Sequence, residues 1–108
     1  MTKDMTIPND AGPVSVQYAP AFSCLCSVGH RPFYGTVRIT FAPGDRLLEF
    51  EAFERWLVGL ALESFTIESL CRTVFDKLTD VLGDVPLSVA AEACTTVHAP
   101  VTATIERS

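Results

Sequence analysis

The chain has no apolar run of the roughly 20 residues needed to span a bilayer as a helix. Its opening "MTKDMTIPNDAGP" carries one Lys, two Asp and no apolar h-region, so neither a membrane span nor a secretory signal is expected. Basic residues are scarce, 8 against 13 acids for a net charge of −5. They are scattered rather than gathered into a stripe that could follow a phosphate backbone, which argues against nucleic acid as the main partner. Internal repeats and low-complexity segments are also lacking. With no export signal read, the expected compartment is the cytoplasm, where Cys24, Cys26, Cys71 and Cys94 stay reduced and a disulfide framework is the least favoured use for them.

What is present is a single apolar domain. At 108 residues, with 48% apolar and 19% charged side chains, the chain can bury roughly two-thirds of its unfolded surface and build a real core. That is rather apolar for so small a chain and points to a buried subunit interface, hence a homo-oligomer. Residues 1–13, with Pro8, Asn9, Asp10, Gly12 and Pro13 and no periodicity, read as a loose flexible arm, and 14–108 as one domain.

Alternation predicts a strand at "VSVQY", a loop holding the first two cysteines, and a second strand through Phe33, Val37, Ile39 and Phe41, the two expected to form an antiparallel pair. After the turn "PGD" the period changes. Phe50, Phe53, Leu57 and Leu60 mark one amphipathic helix. Thr66 caps a second, with Ile67, Leu70, Cys71, Val74, Phe75, Leu78, Val81 and Leu82 on one face and Gly83 as its stop. From Leu87 to Ile105 odd positions are mostly apolar, giving a closing hairpin with one wet face. The order is ββααββ, an α+β fold with both helices on one face of an antiparallel sheet.

"FSCLCSVGHRPFYGTV" holds the chemistry. Cys26 taken alone reads first as core packing, and otherwise as a nucleophile with Cys24 as neighbour and His30 and Arg31 close in sequence, or as a metal ligand in a set drawn from Cys24, Cys26, His30, Cys94 and His98. Glu68 falls in the first turn of the second helix, where the dipole favours an ionised carboxylate that can accept two parallel N–H bonds from a guanine-like amide edge.

These residues carry a resemblance. Phe22, Ser23, Leu25, Cys26, Val28, Pro32, Gly35, Thr36 and Val37 fall where the 7-cyano-7-deazaguanine (preQ0) reductase family reads Phe-Thr-Ser-Leu-Cys-Pro-Val-Thr-Gly-Gln-Pro-Asp-Phe-Gly-Thr-Val. Leu48-Glu49 matches the start of its Glu-Ser-Lys-Ser-Leu-Lys motif, and Glu68 follows at the family spacing in a helix ending Val74-Phe75-Asp76-Lys77-Leu78. The chain is also similar to GTP cyclohydrolase I at Cys26, Pro32-Phe33, Glu68 and Glu92-Ala93.

The resemblance implies a T-fold (tunnelling fold), a ring-shaped homo-oligomer, and a purine-, deazapurine- or pterin-like ring held by Glu68 with Glu49. It further implies Cys26 as the catalytic thiol, whose addition to a nitrile carbon gives a thioimide. Cys24 and His30 are its expected neighbours.

The sequence departs from both families. The reductases' acid seven residues after the cysteine is Phe33, the His before the base-binding Glu is Ile67, and both lysines of the cofactor motif are acids, Glu51 and Glu54. Like charge there opposes NADPH, so no cofactor is expected and the thioimide would be resolved by water or an amine. Of the cyclohydrolase zinc ligands only Cys26 remains, the others falling at Gly29 and Val97. A zinc hydrolase, with Cys26, Cys94 and His98 as ligands, is the first alternative, and a non-catalytic ring that binds a heterocycle is the second.

Overall fold

The computed structural model describes residues 5–95 and 99–108. In chain order the elements are β1 (Thr6–Pro8), β2 (Val16–Tyr18), β3 (Ala21–Cys26), β4 (Pro32–Phe41), β5 (Arg46–Leu48), α1 (Phe50–Val58), β6 (Ser64–Phe65), α2 (Ile67–Leu82), β7 (Leu87–Thr95) and β8 (Val101–Arg107). The main sheet runs β6-β3-β4-β7-β8, with β2 also on β4, and every pairing is antiparallel except β3 with β6. Among the described residues no helix is long and apolar enough to cross a membrane.

The expected ββααββ frame is present, and four further strands, β1, β3, β5 and β6, are added to it. Residues 6–8, read from sequence as part of a loose arm, form β1 and pair with 46–48. The pairing is fixed by Thr6, a buried polar residue whose hydroxyl accepts from Arg46 Nε at 3.1 Å, and by Asn9, whose side chain donates to Gly44 O at 2.8 Å. The cysteine segment is a strand rather than a loop. Pro20 cannot donate a ladder bond, so the chain breaks between β2 and β3, and both halves then pair with β4.

Strand alternation points Phe22, Cys24, Phe33, Val37, Ile39, Phe41, Val89 and Ala91 to one side, where they join Phe53 and Leu57 of α1 and Leu70, Cys71, Val74 and Leu78 of α2 in one core. Burying each of the larger side chains is worth about 1.5–3 kcal/mol. On α2 the buried positions recur every three or four residues. Thr66 and Ser69 form a reciprocal capping box at its start, and Gly83, at φ 82°, takes the left-handed exit that other residues resist. Arg107 closes the same corner. Its guanidinium donates to Val85 O, Gly83 O and Thr79 Oγ1 and lies 5.1 Å from the Phe75 ring centre.

The opposite face of the sheet is bare, carrying Ser23, Tyr34, Arg38, Thr40, Thr102 and Thr104. The register slips by one residue between Tyr34 and Gly35, where Gly35 faces Ala93 and Tyr34 faces Thr95, leaving Cys94 as the extra residue of a bulge. Gly35 is required there, because a Cβ would overlap the Glu92 carbonyl oxygen.

Candidate active site

Strand β3 delivers two thiols into opposite environments. Cys24 lies opposite Phe33 and is fully buried. Desolvation, with a smaller contribution from nearby Cys26, pushes its thiol from 9.0 up to about 11, so it stays neutral and packs. Cys26, the last residue of the strand, is only half-buried.

A four-residue turn, Ser27 to His30, follows Cys26. Cys26 N–H donates to Arg31 O and His30 N–H donates to Cys26 O, both at 2.8 Å. The neighbouring backbone of Gly29, and then of Val28, favours the thiolate and holds the Cys26 thiol below its ordinary value, against a smaller opposing effect of burial. His30, at φ 56°, is the one non-glycine residue with a left-handed backbone among those described, and its side chain is exposed.

The second half of the site comes from β6. Leu25 N–H donates to Glu63 O and Ser27 N–H to Phe65 O, each at 3.0 Å, so Cys26 and Phe65 are side-by-side partners in the parallel pair. Adjacent strands lie about 4.8 Å apart. The chain then passes through Thr66 directly into α2, whose first turn carries Glu68 with its side chain in solvent. The Cys26–Phe65 pairing thus sets the end of β3 next to the short link that leads through Thr66 into the first turn of α2.

The remaining sequence candidates lie elsewhere. Glu49 is the N-cap of α1, its carboxylate accepting from Glu51 N–H at 2.8 Å and its own N–H donating to Met5 O at 2.7 Å. Glu51 and Glu54 are exposed on α1, with Glu54 accepting from the Tyr18 hydroxyl. Tyr18 packs on Phe50 at 4.4 Å, and desolvation, with Glu54 beside it, drives its phenol well above the ordinary range. Phe33 is buried edge-to-face on Phe22 at 5.7 Å, and Ile67 packs against the core, so both positions lack a proton-handling group.

Of the alternative zinc set, the described members Cys26 and Cys94 are not brought together. Cys94 is exposed on β7 and β4 separates it from β3, a gap of roughly 10 Å across two strand spacings. His98 lies outside the described residues. Among the described residues no three His, Cys, Asp or Glu side chains cluster as metal ligands.

The backbone bonds that close the turn have no side-chain signature in the sequence, whose one signal is the five-residue span Ser27 to Arg31 between Cys26 and Pro32.

No family model matches the chain. It is 32% identical over 68 residues to the NADPH-dependent 7-cyano-7-deazaguanine reductase of Frankia casuarinae, covering 63% of this chain and 54% of the reductase. It is 25% identical over 63 residues to the same-named enzyme of Anaeromyxobacter dehalogenans, covering 58% and 52%. The matched stretch thus spans about half the length of these reductases. In three dimensions it resembles the archaeosine synthase QueF-Like, crystallised in its apo form, with a TM-score of 0.81 at 14% identity over 88% of this chain and 94% of the other. The chain is a T-fold protein, and in sequence it is similar to the 7-cyano-7-deazaguanine reductases.

Proposed function

We propose that this protein is an enzyme acting on a 7-cyano-7-deazaguanine-like ring through Cys26 and without NADPH. The parallel pairing of Cys26 with Phe65, which sets the cysteine beside the α2 turn bearing Glu68, carries the reading. Glu68 accepts the N–H groups of the ring's amide edge and orients the nitrile toward sulfur. The Cys26 thiolate adds to the nitrile carbon and the nitrile nitrogen takes a proton, giving a thioimide. An amine or water then adds to that carbon, the C–S bond breaks with its electron pair returning to sulfur, and an amidine or amide leaves. Neither carbon nor sulfur changes oxidation state, so no hydride donor is needed.

What supports a route without reduction is charge and chemistry. Glu51 and Glu54 repel phosphate where the reductase motif has lysines, and buried Phe33 stands where that family has an acid. All four cysteines are free, which suits a reducing compartment such as the cytoplasm. The bare sheet face, with Tyr34 54% exposed, and the edge of β8, unpaired among the described residues, suit a homo-oligomeric ring. Light scattering tests this, with a stable monomer at micromolar concentration counting against it.

Intact-mass spectrometry after incubation with 7-cyano-7-deazaguanine tests the chemistry. The expected result is a gain of one ring, unchanged in Cys24→Ser and absent in Cys26→Ala, with no oxidation of added NADPH. An adduct that survives Cys26→Ala would sink the assignment. No adduct with this or related rings would move the protein to the binding-only reading.

A further inference from the structure

We propose that Arg31 is a further catalytic residue, whose guanidinium hydrogen-bonds the nitrile nitrogen as the Cys26 sulfur adds to the nitrile carbon. This rests on the reading of Cys26 as nucleophile and deepens it at the step where charge develops.

The placement comes from the hairpin. Strands β3 and β4 pair in register through Cys24–Phe33 and Leu25–Pro32. One step further out the Cys26 N–H donates to Arg31 O at 2.8 Å, so Arg31 stands opposite Cys26 where the two strands meet the turn. Residues opposite one another in an antiparallel pair have Cβ atoms about 5 Å apart, a gap that one Arg side chain spans. Cys24 and Phe33, the pair two steps inward, are buried, whereas Cys26 is half-buried and Arg31 exposed. Among the described residues neither ion pair, Arg38 with Glu92 or Arg72 with Asp76, engages Arg31. Nor does Arg31 hold the free thiol down, which is an effect of the Gly29 and Val28 backbone. An exposed cation opposite the cysteine, engaged by neither an acid nor the thiol, is available to the group that the sulfur attacks.

The addition needs such a group. As the C–S bond forms, one π bond of the nitrile breaks and its electron pair moves to nitrogen. The residue seven positions after the cysteine is Phe33, packed edge-to-face on Phe22, and Ile67 packs against the core, so neither offers that nitrogen a proton. Arg keeps its own proton at neutral pH, but its N–H groups stabilise negative charge where it appears. The proton that completes the thioimide comes from water.

The test sets two electrophiles on one thiol. 2-Cyanopyrimidine, a small planar nitrile, gathers negative charge on nitrogen as it adds. Iodoacetamide alkylates sulfur by displacing iodide and forms no such nitrogen anion. Rates with each are read by intact-mass spectrometry, with Cys26 confirmed by peptide mapping, in wild type, Arg31→Lys and Arg31→Ala. Every variant keeps the Arg31 carbonyl that closes the hairpin, and thermal melting checks the fold. Nitrile addition should fall about 100-fold in Arg31→Ala, the size expected for losing one donor aimed at developing charge. Arg31→Lys, which keeps a cationic donor, should recover about ten-fold of that loss. Alkylation should stay within about two-fold of wild type in both variants, since Arg31 does not set the thiol's ionisation. Unchanged nitrile addition in Arg31→Ala overturns the proposal. So does an equal fall with both electrophiles, which would make Arg31 a residue that acts on the sulfur, or a wild type whose Cys26 is alkylated but adds no nitrile. The assay contains no 7-cyano-7-deazaguanine, so a failure of the substrate reading, seen as a missing ring adduct, is separate from a failure of the Arg31 assignment.

Discussion

Cys24 and Cys26 share one strand and lie two residues apart, yet the first is sealed in the core with a thiol driven upward, and the second sits at an open corner with a thiol drawn downward. Nothing in their own side chains differs. The contrast comes from what each end of β3 meets. The inner end meets Phe22, Phe33 and the helices. The outer end meets the Ser27–His30 turn and pairs with the short strand that leads into α2. Reactivity of a cysteine here is a property of the backbone around it.

The strongest test of that contrast is alkylation of the native protein at neutral pH. Cys24 must wait for an opening of the core, so Cys26 should react at least about 1,000-fold faster, and comparable rates would abolish the distinction. Next in size, Gly35→Ala should cost about 3 kcal/mol or more, because its methyl overlaps the Glu92 carbonyl and forces β4 from β7. Chemical denaturation measures the loss, and a cost under about 1 kcal/mol would mean that the bulge relaxes freely.

Cys24→Ser sharpens the comparison from the buried side, burying a hydroxyl where a thiol packed, at an expected cost of about 2 kcal/mol. The wild type adds a pH signature. Because folding raises this thiol from 9.0 to about 11, the stability it confers is complete below the lower value and drains away as pH climbs toward the upper one. Denaturation midpoints measured across that window should fall in wild type and flatten in Cys24→Ala. The smallest effect belongs to the outer end. Thr66→Ala removes one half of the capping box and should cost about 1 kcal/mol. It should also loosen the turn that bears Glu68, seen as weaker ring binding by calorimetry, and unaltered affinity would separate the cap from the site.

The sequence exposed those parts of the fold in which side chains repeat. Helix α2 was legible because eight apolar positions, a Thr cap and a terminal Gly agree, and β4 because ten residues alternate without interruption. Short or irregular pieces were not. β3 hides behind Pro20 and a Ser-Cys composition, β1 behind Pro8, and the bulge at Cys94 breaks a parity that the apolar pattern carries straight through. At the site, the family resemblance singled out Cys26 and Glu68, but it did not tell that Glu49 caps α1, since Glu is not a preferred cap residue.

The clamp at Arg107 bears on timing. By tying the end of α2, the 83–85 link and β8 through one rigid fork, it makes three segments let go together or not at all. Amides in that corner should exchange with solvent slowly and in concert, while the Ser27–His30 turn, held by two short backbone bonds, is free to breathe on a faster clock. One molecule thus keeps a slow end, which preserves its shape, and a quicker end at the turn after Cys26.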